Sequence, residues 1–203
     1  MSHPGFFDTI PHLAVREPLA QFLGASNTGI FDYSYLDAVK LAGHSCPTVA
    51  SAYWLTCLAL KALYDDQMPE RGGVSVEFAD RYEEGVTGVV ASVVTLLTGA
   101  AGEGGFAGLN SRFVRRGLMR FNASLRLDLR FSRLDTGAQV DAAAYPGKVP
   151  ASPELSALMA RCISGEGSPA EQQRFGLLWQ ERVRRLLGEH RHDPEVFVVH
   201  PVV

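Results

Sequence analysis

Within the stretch LAGHSCPTVASAYWLTC (residues 41–57), His44 and Cys46 stand two apart and Pro47 follows at once. An imidazole nitrogen and a thiolate sulfur are the donors that Zn²⁺ and other borderline-soft metals prefer. Proline favours the first position of a helix, so Cys46 falls at or next to the N-cap of the segment that Pro47 opens. Unpaired N–H groups and the partial positive charge of a helix start favour a thiolate, which can hold a metal or act as a nucleophile. Two donors from one short loop also lose less entropy on ordering than two recruited from distant segments.

The pair is only half a site. A structural zinc takes four protein ligands and a catalytic zinc three plus water. No Cys-x-x-Cys occurs, and Cys57 lies eleven residues on, on the same helix face but about 16 Å along the axis. The further donors are few. His200, in the extended tail FVVHPVV, is the expected third ligand because that tail can return to a sheet. His190 and His192 follow a helix end, Glu83 and Glu84 lie at the start of a helix that would face the corner, and His3 and His12 belong to an N-terminal arm. Two other readings stand beside a zinc site. His44 can cap a carbonyl while Cys46 is a small core residue. Alternatively, Cys46-Pro47 can ligate haem through the thiolate, with His44 as a second ligand.

These donors need elements to hold them. Tyr35, Leu36, Val39 and Ala42 recur at helical spacing, and Gly43 suits a left-handed stop. Pro47 to about Tyr64 reads as a helix apolar over most of its circumference, hence buried on more than one side or used as a dimer interface. VSVEFA (74–79) alternates like a strand, and Glu83–Thr98 reads as a long buried helix with its acidic pair at the favoured end. TGAAGEGGFAG (98–108) must be a loop; it lacks the Lys-Ser/Thr of a nucleotide-binding P-loop. From Met119 to Phe131 apolar and polar residues alternate strictly, as in one half-buried strand or two strands meeting at a bend. Its arginines read as a solvated face balanced by Asp128. Serine and proline at 152–153 and 168–169 open two helices, the second with a capping box to Glu171. The order helix, strand, helix, strands, helical pair predicts an α+β fold with a mixed sheet. It divides into an arm and short helix (1–32), a core (33–150) and a C-terminal helical extension with its tail (151–203), packed on the same domain.

Composition narrows the function classes. With 46% hydrophobic and 20% charged residues and a net charge of −3, the chain has a core and no basic excess. This argues against nucleic acid or a membrane surface as partner. Interleaved aromatics for base stacking are missing from the basic stretches. The most apolar run, Val86–Ala101, falls short of the roughly 20 residues that span a bilayer. Three cysteines and no signal-peptide pattern predict a reduced, cytoplasmic protein.

The segment YLDAVKLAGHSCPTVASAYWLTCLALKAL, with its Gly-His-x-Cys-Pro core, resembles the FmdE-like (FwdE) family, named for a component of formylmethanofuran dehydrogenase. TGAAGEGGF is similar to that family's Thr-Gly-rich loop. The likeness covers residues 33–130. It implies a glyceraldehyde-phosphate-dehydrogenase-like α+β core with a mixed sheet. It also implies a metal-binding accessory, sensor or carrier protein, zinc being the usual metal, that forms a homodimer and has room for a small-molecule ligand near the metal corner. A small metalloenzyme that activates water or a thiol is the enzymatic alternative. Family members also place a Cys, and an Asp three residues later, in the helix before the Thr-Gly loop. Counting back from Thr98, those places are Val89 and Ser92 here, so the family's second ligand pair is replaced.

Overall fold

The structure, a computed structural model, describes residues 2–202. Its main elements are β1 (Leu13–Arg16), α1 (Pro18–Phe22), β2 (Ile30–Tyr33), α2 (Tyr35–Ala42), α3 (Pro47–Tyr64), β3 (Val74–Phe78) and α4 (Thr87–Thr98). There follow β4 (Met119–Arg120), β5 (Leu129–Arg133), β6 (Gln139–Ala144), α5 (Leu155–Ile163), α6 (Pro169–Gly188) and β7 (Phe197–Pro201). The fold is α+β. A five-stranded sheet runs β4-β3-β5-β6-β7, with β3–β4 parallel and every other pair antiparallel.

The sheet is a consequence of alternation. Val74, Val76 and Phe78 are buried and the residues between them are not. In register with them stand Phe131 and Leu129, then Val140 and Ala142. This apolar face lies under α3, which also packs against α4 and α6. The reach of α3 around its own circumference is thus used within one chain: twelve of its residues, from Val49 to Tyr64, are buried. That removes the reason for assigning its apolar surface to a dimer interface. Among the described residues, no helix is long and apolar enough to cross a membrane.

Two local expectations are corrected, and one pair of alternatives is decided: the alternating run 119–131 is two strands, not one continuous strand. Met119–Arg120 pairs with one edge of β3 and Leu129–Arg133 with the other, so the chain between them crosses the end of β3. Asn122, with φ at +61°, turns it there, and the Ala123 N–H bonds to the Phe78 carbonyl at 3.0 Å. Helix α4 starts at Thr87, not Glu83. Gly85 sits at φ +54°, a left-handed angle that a helical first turn excludes, so Glu83 and Glu84 stay outside the helix. The N-terminal segment is more than an arm: β1 and β2 pair from Leu13↔Tyr33 to Arg16↔Ile30, with α1 between them in sequence.

A buried ion cluster ties this segment to the core. Glu17 caps α1, its carboxylate accepting from the Leu19 N–H, and pairs with both Arg71 and Arg115. The Arg115 guanidinium lies over Gly72 and Gly99, where an added Cβ would come within 1.9 and 2.8 Å of its Nη1. The Thr-Gly step that ends α4 therefore makes room for an arginine. Loop 98–108 is tied to residues 115–119 chiefly through its carbonyls, Phe106 accepting from the Arg115 and Arg116 N–H groups, Gly102 from Gly117 and Ala101 from Met119, while the Ala101 N–H donates to the Arg115 carbonyl at 3.0 Å.

Candidate functional site

Helix capping puts His44 and Cys46 where they are. Gly43 ends α2 in the left-handed conformation (φ +76°), and three residues later Cys46 is the N-cap of α3 with Pro47 at N1. The Cys46 Sγ accepts from the Val49 N–H at 3.4 Å and is buried, with 8% of the residue exposed. This contact satisfies one of the free donors of the helix start and suits a sulfur that carries negative charge. His44 is exposed. Its Nδ1 donates to the Ala42 carbonyl at 3.0 Å, which leaves the Nε2 lone pair free. A backbone carbonyl on the far nitrogen is the usual support of a metal-binding histidine. The same contact also fits the plainer reading in which His44 simply caps α2.

Ser45, between the two, is the residue that fixes the corner. Its hydroxyl meets the Tyr35 hydroxyl at 2.8 Å and donates to Gln180 Oε1 at 2.9 Å. Its carbonyl accepts from Trp179 Nε1 at 2.9 Å and from Gln180 Nε2 at 3.2 Å. Nothing in the sequence near Ser45 signals this, because its partners on α6 lie more than 130 residues away.

His44 opens into a cleft whose opposite wall is α4, with Gly88, Val89, Ser92 and Val93, and Tyr82 beside it. The two α4 positions counted from the Thr-Gly loop thus face the histidine. Val89 is exposed, and the Ser92 hydroxyl donates to the Gly88 carbonyl at 2.9 Å.

The other expected donors are elsewhere. His200 is opposite Asp141 in the β6–β7 register, one residue off from Val140↔Pro201. Side chains alternate across a strand, so His200 projects to the sheet face away from α3. There it lines a separate cleft with Arg126, Arg130 and Asp141. Arg130 holds Asp141 through two bonds, at 2.7 and 2.9 Å, and this pair, not Asp128, balances it. His190 Nδ1 bonds Asp193 at 3.0 Å, and the His192 ring packs edge-on against Trp54. His3 and His12 meet Asp8 and Asp32, and Glu83 lies 3.9 Å from Arg81. Among the described residues, no three of His, Cys, Asp and Glu stand close enough together to hold a metal ion. Burial pushes the Cys57 thiol up to about 12, which keeps it a protonated core group.

The chain matches no protein-family model and no curated protein.

Proposed function

We propose that the chain is an FmdE-like accessory or carrier protein that binds a soft divalent metal, zinc foremost, at His44 and Cys46. One observation carries this reading. The two donors leave a single three-residue corner with their supporting bonds made, Nδ1 to a carbonyl and Sγ to a helix N–H. With two protein ligands the metal keeps open positions for water or a small thiol, as a carrier or sensor needs and a structural site does not. The cleft between His44 and α4 gives such ligands room. Zinc is favoured over haem because an imidazole and a thiolate two residues apart can meet on one small ion, whereas axial haem ligands must take opposite faces of a wide porphyrin ring.

Cobalt(II) titration tests the reading. The native protein is expected to show thiolate-to-cobalt absorption that saturates at one ion per chain. Cys46→Ser removes the band, and His44→Ala weakens binding about 10- to 100-fold while the band survives at saturation. A band that persists in Cys46→Ser, or none in the native protein, contradicts the assignment.

A further inference from the structure

A second site lies on the other side of the α4 N-terminus. A cavity of about 150 Å³ opens between the first turns of α3, the start of α4 and the ends of β3, β5 and β6. It shares no lining residue with the His44 cleft: Val86, Thr87 and Val90 face this one, Val89 and Ser92 the other. Its inner wall is apolar, formed chiefly by Ala52, Leu55, Phe78 and Leu129, all buried.

Two features of the cavity are uncompensated. Ser51, 5% exposed, lines it, and its Oγ has no hydrogen-bond partner. Buried hydroxyls are nearly always paired, so an orphan on a residue that lines a cavity, one side-chain rotation from it, marks a place where another molecule's polar atom can pair. Asp80 and Asp128 stand solvent-accessible at the rim, and no basic side chain lines the cavity or pairs with either among the described residues. The apolar surroundings first, and the neighbouring Asp80 charge second, hold the Asp128 carboxyl above the ordinary carboxylate range. A water would satisfy Ser51 and leave the charge; a hydrated cation would satisfy the charge and leave the hydroxyl and the apolar wall.

We propose that this cavity binds a small primary amine with a compact apolar body, its ammonium between Asp80 and Asp128 and its far end toward the Ser51 hydroxyl. The volume is that of a cavity known to accept a single benzene ring, which limits the body to about one six-membered ring. An ammonium supplies the missing positive charge through charge-assisted hydrogen bonds, the ring covers the apolar wall, and a hydroxyl or carbonyl opposite the amine pairs with Ser51. This site stands whether or not the corner binds metal.

Ligand-observed NMR titration of the full chain tests it with four probes: benzylamine, 4-(aminomethyl)phenol, benzyl alcohol and benzoate. Benzylamine is expected to bind saturably and about 10-fold or more tighter than benzyl alcohol, and benzoate not at all. The phenol is expected to gain about 3- to 10-fold over benzylamine. Ser51→Ala removes that gain and leaves benzylamine unchanged. The rim variant Asp80→Asn/Asp128→Asn, at exposed positions that leave the fold intact, weakens both amines about 10-fold and benzyl alcohol hardly at all. Equal binding of alcohol or benzoate, amine binding indifferent to the rim variant, or saturation by Ca²⁺ or Mn²⁺ with none by the amines would each overturn the proposal.

Discussion

Replacing Glu17 by alanine is expected to lower the unfolding free energy by about 3–5 kcal/mol, as breaking one side of a buried ion cluster does. The side chains of Glu17, Arg71 and Arg115 are 6%, 17% and 8% exposed, so three charges share a nearly dry site. One carboxylate serves two guanidiniums. Arg71 Nε and Arg115 Nη1 already lack partners, so losing Glu17 leaves both guanidiniums shorter still of acceptors, with Glu70 acting on Arg115 through charge alone. Burial holds the Arg115 guanidinium below the ordinary arginine range; Glu17 opposes that shift and Arg71 reinforces it. Alanine also removes the cap of α1. Denaturant titration reads the loss as a lower midpoint at unchanged slope. A loss under about 1 kcal/mol would mean that water reaches the arginines and the cluster is effectively a surface one.

The second large effect is a gain. Val89→Cys with Ser92→Asp puts a thiolate and a carboxylate one helical turn apart on α4, on the wall facing His44. With His44 and Cys46 as the native ligands, the double variant offers four in place of two, and zinc affinity is expected to rise by about 100-fold or more. Both positions are exposed, so the fold tolerates the change. Competition with a chromophoric chelator measures it, and adding His44→Ala to the double variant should return most of the gain. Affinity within about threefold of the native protein, with the helical signal intact, would show that α4 does not complete the corner.

What the residues reveal by themselves is local. Gly43 ending α2, Cys46 and Pro47 opening α3, and the Ser168–Glu171 box opening α6 each depend on chemistry within four residues, and each is found in the structure. Alternation in 119–131 is visible in the sequence, but its split around β3 is not, because the pairing partner lies more than forty residues back. The β1–β2 pair escapes notice because each strand has four residues and no tight turn joins them. The start of α4 is misplaced when the favourable charge of Glu83 and Glu84 is weighed without the left-handed Gly85. At the corner, His44 and Cys46 are legible as donors. The four bonds that hold Ser45 are not, and neither is the cavity at Ser51, since both are assembled from elements distant in sequence.

Zinc-edge X-ray absorption on protein loaded with one equivalent of Zn²⁺ reads the coordination of the corner directly. We expect one sulfur at about 2.3 Å and light-atom ligands, among them one imidazole nitrogen, at about 2.0–2.1 Å, with the sulfur lost in Cys46→Ser. A spectrum with no sulfur neighbour, or with a sulfur that survives Cys46→Ser, would contradict the assignment of the metal to His44 and Cys46.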